Sequence, residues 1–371
     1  MNTSQIHQEA IVIDLHADTI QRVLDEGCDL LEGAPGWHLD LNLMREGGID
    51  GQYFSIWPDP HEYWGEAATR RAEDLIGAVK SQASKHSKVM ALAGSAEEVR
   101  RISSEGKLAA LMGIEGGHAL NDSPELVEHF HREGVKYITL THSKSTSWAG
   151  SSGDPEGADR GLNLLGKEIV ERMNQVGMMV DVSHVSDKTF WDVTRTSRRP
   201  LIASHSGARA LAPHHRNMTD EMIKAVGESG GVVCVVFYPI FLSEGYARDA
   251  RVVIETLRPE MKKFDEEMDS ISAGYAKDRL MAKELRKRMN PMPLSVLADH
   301  IEHVARVAGI DHVGIGSDFD GINCVPEGLE TGAQLPSLTE ELARRGFDEE
   351  ALMKILGGNV LRVMEAHENL G

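Results

Sequence analysis

The sequence predicts an α/β fold in which eight parallel strands close into a barrel, a (β/α)8 or TIM-type barrel. Eight short apolar runs alternate with segments of helical periodicity along the 371 residues. The runs are apolar on both faces, as expected for strands that lie between a barrel interior and an outer ring of helices. No glycine-rich G-x-G-x-x-G turn follows the first run, which favours a barrel over an open, doubly wound sheet.

The ends of these runs carry residues that can hold a metal or transfer a proton. In a barrel of parallel strands, the carboxyl ends meet at one mouth, where the chemistry of such folds takes place. Side chains far apart in sequence are therefore expected to meet in one cleft. The eight predicted strands cover residues 11–18, 51–57, 108–115, 137–142, 178–184, 201–205, 232–238 and 313–318.

The helices between the strands are predicted from apolar residues at helical spacing and from the residues at their ends. Pro124 suits the first turn of a helix that opens at residues 123–125. Gly177 follows the next helix, as glycine commonly does at a helix C-terminus. The other predicted helices cover residues 67–82, 95–104, 186–195, 219–228, 293–308 and 339–356, and the helix before Gly177 covers 162–176.

One long segment, residues 241–292, exceeds what a minimal barrel needs. It is charged and helix-prone, and it follows the seventh strand, on the mouth side. We expect a helical insertion that forms a solvated cover, with closure over a substrate or a dimer contact left open. Because barrels run long as single units, residues 1–371 are expected to form one domain.

Composition excludes several classes of function. Lysine and arginine total 39 against 58 acidic residues, which gives a formal charge of −19. This charge opposes binding to nucleic acid or an anionic membrane, although a local arginine could still bind an anionic substrate.

Three cysteines make no disulfide framework, and Cys234 lies in an apolar run and is expected in the core. With no signal peptide or membrane span recognised, the expected location is cytoplasmic, and a homo-oligomer is left open.

Five residues at four strand ends have the chemistry of a metal centre. His16 and Asp18 lie two apart on a strand, so their side chains leave from the same face. Glu115 can bridge two cations with its two oxygens, and His184 and His205 end neighbouring strands. This mixture of nitrogen and oxygen ligands suits zinc, with manganese, iron or cobalt as chemical alternatives.

A lone histidine at a strand end is more often a structural residue than a metal ligand, and the motif His-x-Asp is weak by itself. The five residues together favour the metal interpretation. His118 is a candidate for a supporting role beside Glu115. The remaining histidines expected at the surface are His7, His38, His61, His86, His129, His131, His300, His303 and His367.

Three further residues are candidates for catalysis and substrate binding. Asp318 ends the eighth strand and can exchange a proton with a metal-activated water; Asp320, two residues on, competes for this role. His142 ends the fourth strand and could be a further ligand or a donor to an oxyanion. Arg216 follows the sixth strand, and its planar guanidinium suits a substrate carboxylate.

Together these motifs resemble the renal, or membrane, dipeptidase family of the amidohydrolase superfamily. The resemblance covers residues 11 to about 364. The motifs that carry it are Asp14-Leu-His16-Ala-Asp18, Arg45-Glu-Gly-Gly48 to Gln52, Gly113-Ile-Glu115-Gly-Gly, Thr139-Leu-Thr-His142-Ser, Asp181-Val-Ser-His184, Ala203-Ser-His205-Ser, Arg216-Asn217 and Gly316-Ser-Asp318-Phe-Asp-Gly.

The resemblance implies a cofactor of two zinc ions per chain. His16, Asp18 and Glu115 would hold one ion, and Glu115, His184 and His205 would hold the other, with Glu115 bridging. It assigns proton transfer to Asp318, the substrate carbonyl or its oxyanion to His142, and the terminal carboxylate of the substrate to Arg216. The membrane enzymes carry a secretory signal, disulfides and a lipid anchor, which are not recognised here, so a soluble bacterial-type relative is expected.

The predicted function is zinc-dependent hydrolysis of dipeptides that have a free C-terminal carboxylate and an L- or D-residue at the C-terminal position. An alternative is a binuclear metal hydrolase of another bond, in an N-acyl-amino acid, a lactone or a phosphoester. A third interpretation is a non-catalytic binding protein on the same scaffold. Arg216 and His142 favour a peptide, and retention of Asp318 with every ligand argues against loss of catalysis.

Overall fold

The computed structural model describes residues 2–369 and contains a closed barrel of eight parallel strands, which confirms the predicted fold class. The order around the barrel is β1-β2-β4-β5-β6-β7-β8-β9, and pairing of β1 with β9 closes it. In chain order the strands are β1 (Val12–Ala17), β2 (Ile49–Ile56), β3 (Met90–Leu92), β4 (Leu108–Glu115), β5 (Val135–Thr139), β6 (Met179–Asp181), β7 (Leu201–Ser206), β8 (Val232–Val235) and β9 (Val313–Ile315).

Strand β3 is an addition to the barrel that the sequence analysis did not predict. It pairs with residues 108–110 of β4, whereas β5 pairs with residues 112–115. Because β2 occupies the other edge of β4, β3 lies in line with β5, beside the N-terminal end of β4. Its three residues are too short an apolar run to be recognised, and Leu92 is exposed.

Helices surround the barrel and cover its mouth. In chain order they are α1 (Thr3–Glu9), α2 (Thr19–Glu26), α3 (Leu41–Glu46), α4 (Glu66–Lys85), α5 (Ala96–Ser104), α6 (Leu126–Arg132), α7 (Leu164–Val176), α8 (Asp187–Thr196), α9 (Asp220–Glu228), α10 (Pro239–Leu242), α11 (Glu244–Glu267), α12 (Ser270–Arg288), α13 (Leu294–Ala308), α14 (Pro336–Arg344), α15 (Glu349–Met353) and α16 (Asn359–Glu368). Within residues 2–369, no helix combines the length and apolar character that crossing a bilayer requires.

The helix ends predicted from sequence have local physical causes. Ser95, Ser186 and Thr219 cap α5, α8 and α9, and each side chain accepts a hydrogen bond from a backbone N–H of the first turn. Gly177 ends α7 with a φ of 76°, in the left-handed region that glycine adopts readily.

The single helix predicted over residues 339–356 is wrong. Residues 336–358 form α14, α15 and a short π-helical segment instead. Gly346 has a φ of 97°, which interrupts the first helix, and Asp348 starts the next by accepting a hydrogen bond from the Ala351 N–H. Apolar periodicity continues across this break because both helices pack against the same helix, α1.

The insertion at residues 241–292 is helical, as predicted, and consists mainly of α11 and α12 packed together. Polar contacts attach α12 to the barrel. The Ser270 hydroxyl donates to Glu62 over 2.7 Å, and the Tyr275 hydroxyl donates to Asp25 over 2.9 Å. These partners lie on α2 and on the loop after β2, so α12 is held at the mouth.

Four of the histidines expected at the surface are buried: His7, His300, His303 and His367. All four have polar partners; His7, for example, contacts the Thr339 hydroxyl and the Gly47 carbonyl. A buried histidine needs such partners, which come from distant parts of the chain and are invisible to local patterns. Cys234 is buried as predicted, and all three cysteines are free.

Gly113 allows close packing inside the barrel. A Cβ atom at this position would lie 2.0 Å from the buried ring of Tyr137 on the neighbouring strand. We therefore expect Gly113→Ala to lower the free energy of unfolding by about 1–3 kcal/mol, measured by urea denaturation. Gly77→Ala is the matched control, because Gly77 lies within α4 with no atom within 4 Å of a new Cβ. The control should be neutral or stabilising by up to about 1 kcal/mol, and equal effects of the two changes would contradict this account.

Candidate active site

Glu115 lies at the centre of a cluster of buried side chains from the strand ends. Its Oε1 is 2.9 Å from Nε2 of His184 and 3.3 Å from Nε2 of His205. Its Oε2 is 3.4 Å from Nε2 of His16. The two carboxylate oxygens thus face different imidazoles, as a carboxylate between two cations would.

Asp18 and Asp318 complete the cluster on the side of His16. Oδ2 of Asp18 is 3.7 Å from Nε2 of His16. One ligand atom from each of His16, Asp18 and Asp318 falls within 4.8 Å of the others. The same holds for His16, Glu115 and His205, and for Glu115, His142 and His184. The structure therefore brings together all five predicted metal ligands, with Asp318 and His142 at their margin.

The cluster fits a metal centre by its chemistry. Nε2 of His16 and Oδ1 of Asp18 are buried, and neither has a hydrogen-bond partner among the described residues. Nε2 of His184 and Nε2 of His205 are 2.9 Å apart, so two ring nitrogens converge on one point. Buried polar atoms without partners are costly, and cations bound by these nitrogen and oxygen atoms would remove that cost.

In His16 and His205, a hydrogen bond at Nδ1 leaves Nε2 free to bind a cation. Nδ1 of His16 is 2.8 Å from the Tyr137 hydroxyl, which in turn donates to the Leu15 carbonyl. Nδ1 of His205 is 2.8 Å from the Ser204 hydroxyl, which donates to Asp181 over 2.6 Å. Since each hydroxyl donates elsewhere, each accepts from Nδ1–H, and the lone pair lies on Nε2.

Two buried aspartates join the strand ends beneath the cluster. Asp181 accepts hydrogen bonds from the Ser204 backbone N–H and hydroxyl, and from the Thr139 hydroxyl. Asp14 likewise accepts from the backbone N–H and hydroxyl of Ser317. Each carboxylate thus ties one strand end to its neighbour.

The sequence analysis did not single out these supporting residues. A signal for them exists, because a serine stands directly before three of the candidate site residues. The pairs are Ser183-His184, Ser204-His205 and Ser317-Asp318. The roles of the Ser204 and Ser317 hydroxyls emerge only when the aspartate on the adjacent strand is known. The Ser183 hydroxyl instead accepts from the His205 backbone N–H.

His142 and Arg216 lie beside the cluster. Nε2 of His142 is 3.9 Å from Oε1 of Glu115, and burial lowers the pKa of His142 to about 4, so its ring is neutral near pH 7. Nη2 of Arg216 donates to the His205 carbonyl over 3.1 Å, and its buried Nε has no partner within residues 2–369. Burial lowers the pKa of Arg216 to about 10, which leaves the guanidinium charged.

Asp318 and Asp320 differ in their surroundings. Burial raises the pKa of Asp318 to about 7, and the Arg216 guanidinium opposes this rise. Asp320 is engaged in structural bonds: it accepts from the Thr19 hydroxyl over 2.6 Å and from the His38 backbone N–H over 2.8 Å. This difference favours Asp318 over Asp320 for proton exchange.

Backbone strain coincides with the cluster. His184 and Asp318 have φ angles of 67° and 64°, in the left-handed region that residues other than glycine rarely occupy. Such a conformation costs about 1–3 kcal/mol and persists where the surroundings over-determine it. Here it follows from turning each side chain from its strand end into the mouth.

His118 does not join the cluster. Its Nε2 bonds to the Pro58 carbonyl at 2.7 Å, and its ring stacks on Trp64. Burial lowers the pKa of His118 to about 4. It therefore supports the loop after β2.

A cavity of about 540 Å³ opens onto the cluster. The barrel contributes Asp18, Glu115, His142, His184, Arg216 and Asp318 to its lining. The insertion contributes Phe241 of α10, and Ser270, Ile271, Gly274, Tyr275 and Asp278 of α12. The insertion is thus a wall of the cavity, a role that the sequence analysis left open.

Comparison with known proteins identifies the family. The profile of the family described as Membrane dipeptidase (Peptidase family M19) matches residues 1–371. The chain belongs to the membrane dipeptidase family. An uncharacterised dipeptidase of Schizosaccharomyces pombe is 32% identical over 356 residues, which are 92% of this chain and 76% of that protein.

Solved structures of dipeptidases agree with this assignment. The probable dipeptidase PvdM from Pseudomonas aeruginosa is 27% identical with a TM-score of 0.84, covering 100% of this chain and 98% of that one. A metallopeptidase from Rhodobacter sphaeroides, liganded with a phosphinate mimic of the dipeptide L-Ala-D-Ala, is 26% identical with a TM-score of 0.79, covering 96% and 99%. The protein is therefore a dipeptidase of the metallopeptidase type, as the resemblance implied.

The Ser204 hydroxyl offers a test of how the imidazoles are oriented. Ser204→Ala removes the acceptor of the His205 Nδ1–H, so we expect affinity for zinc to fall about 10–100-fold. Competition with a chromogenic chelator measures this affinity without any substrate. Ser103→Ala is the matched control, because the Ser103 hydroxyl bonds to Asp50 on the opposite side of the barrel from the mouth. Unchanged zinc affinity in Ser204→Ala would show that this bond does not orient His205.

Proposed function

We propose that this dipeptidase hydrolyses dipeptides that have a free C-terminal carboxylate, with two zinc ions as cofactor. The observation that carries the proposal is the joint occurrence of Glu115, shared between two groups of ligand atoms, and Arg216, charged and buried in the same cavity. A carboxylate substrate matches the guanidinium, and the amide of a dipeptide lies one residue away from its carboxylate.

The proposed ligands divide into two sets. His16, Asp18 and Glu115 would hold one zinc ion, and Glu115, His184 and His205 would hold the other. When bound by these residues, zinc would supply a water of lowered pKa and would polarise the substrate carbonyl. The orientation of His16 by Tyr137 and of His205 by Ser204 supports these sets, because both rings present an unprotonated Nε2.

Asp318 is the proposed proton carrier. It takes the proton of the attacking water and passes it to the departing amine, which is released as the N-terminus of the second residue. Its position within 4.8 Å of His16 and Asp18 supports this role. A raised pKa also suits a group that must both accept and return a proton.

His142 and Arg216 are the proposed substrate-binding residues. A neutral His142 can donate one N–H to the developing oxyanion, a contact typically worth about 2.7–4 kcal/mol in the transition state. Arg216 binds the terminal carboxylate, which restricts the substrate to short peptides with a free C-terminus. A mimic of L-Ala-D-Ala bound to the Rhodobacter sphaeroides relative supports acceptance of a D-residue at the C-terminal position.

Asp318→Asn tests proton transfer. Asparagine keeps the shape and tolerates the left-handed backbone at this position, but it cannot accept the proton of water. We expect kcat to fall by about 10²–10⁴-fold on dipeptides, with two zinc ions per chain retained by elemental analysis. A kcat near that of the unaltered enzyme would show that another group carries the proton.

Arg216→Met tests recognition of the carboxylate. Loss of a buried charge pair costs about 2–5 kcal/mol, so kcat/KM for a free-acid dipeptide should fall about 30-fold or more. Hydrolysis of the same dipeptide amidated at its C-terminus should be slow in both proteins and change little. If the unaltered enzyme hydrolyses the amidated and free dipeptides equally well, the assignment of Arg216 fails, and hydrolases of other amides become the better description.

A further inference from the structure

The wall formed by α12 lies on the far side of the cavity from Arg216. In the ring of eight strands, β2 is diametrically opposite β7. Arg216 follows β7, whereas Ser270 at the start of α12 bonds to Glu62 in the loop after β2. Oδ1 of Asp18 and Nε of Arg216 are buried and unpartnered among residues 2–369, and both residues line this cavity, so it is built for a polar ligand.

The direction of a bound dipeptide follows from this arrangement. With its carboxylate at Arg216 and its amide at the cluster around Glu115, the N-terminal residue points away from β7. It therefore meets the wall made by α12 and the loop after β2. This step rests on the proposed function, because it uses Arg216 as the carboxylate anchor.

The wall carries an excess of negative charge. Asp25 is neutralised by Arg71, with two contacts of 2.7 Å. The other acids at this end of the cavity, Asp59, Glu62 and Asp278, have no cationic side chain within 4 Å in the described part of the chain. An uncharged or acidic N-terminal residue would leave these carboxylates unpaired, whereas a cation would pair with them.

Asp278 lies on α12 and has no salt-bridge partner among the described residues. The nearby cations are already paired: Arg279 contacts Glu26 at 2.5 Å, Arg22 contacts Glu26 at 3.0 Å, and Lys277 contacts Asp265. The Asp278 carboxylate makes no hydrogen bond within residues 2–369. Asp278 is exposed to solvent and lines the cavity. An exposed carboxylate is ionised at neutral pH.

We propose that the enzyme selects dipeptides whose N-terminal residue carries a cationic side chain, lysine or arginine, and that Asp278 is the specificity-determining residue. The rings of Tyr63 and Tyr275 line the same end of the cavity. Arg71 already lies over the Tyr63 ring and Arg22 over the Tyr275 ring. The remaining apolar surface of the two rings suits the methylene stem of such a side chain. Every dipeptide has an N-terminal ammonium group, so the selection acts through the side chain.

The test compares lysyl-alanine with norleucyl-alanine, which have side chains of similar length and differ in charge. The zinc-loaded enzyme should show a kcat/KM for lysyl-alanine about fivefold or more above that for norleucyl-alanine. Asp278→Asn should bring this ratio close to one, chiefly by lowering kcat/KM for lysyl-alanine. The preference should also weaken at high salt, which a purely steric role would not cause.

Asp249→Asn is the matched control, since Asp249 is an exposed acid of α11 that does not line the cavity. It should keep the preference of the unaltered enzyme. Equal kcat/KM for the two dipeptides, or a preference that survives in Asp278→Asn, would overturn this inference while leaving dipeptide hydrolysis intact. Hydrolysis of neither dipeptide would instead refute the proposed function, and the inference would fall with it.

Discussion

The buried carboxylate of Glu115 is the constraint on which the site depends. Three imidazoles from different strand ends approach it within 3.4 Å, and removing a carboxylate from water is expensive unless charge or hydrogen bonds compensate. Beyond these imidazoles, the Ser55 hydroxyl donates to Oε2 over 3.2 Å. This concentration of buried polar groups stays together because the barrel holds its strand ends at fixed spacing.

The rigidity behind the site comes from hydrogen bonds between strand ends. Asp14 and Asp181 are almost completely buried and bond to serines on adjacent strands. The same serines directly precede candidate site residues in the sequence. The bonds that tie neighbouring strand ends together therefore also hold these site residues in position. Left-handed backbone at His184 and Asp318 is tolerated because these bonds over-determine the turns.

The insertion gives the cavity a wall that the barrel itself does not supply. Contacts of α12 with Asp25, Glu26 and Glu62 attach it to the side of the mouth opposite Arg216. The barrel thus carries the proposed chemistry and the carboxylate anchor, while a peripheral helical pair shapes the space for the rest of the substrate. Insertions on the mouth side can therefore alter specificity without disturbing the strands.

The sequence by itself determined the barrel and which side chains meet at its mouth. Alternating apolar runs and helices reflect local periodicity, and candidate metal ligands at strand ends can be found from spacing alone. Only the tertiary structure decided that Asp320 bonds to Thr19 and His38 while Asp318 faces His16, that Ser204 orients His205, and that Asp278 enters the cavity. It also decided the short strand β3 and the burial of four histidines. The physical reason is that these features depend on partners far along the chain, whereas periodicity and helix caps depend on neighbours within a few residues.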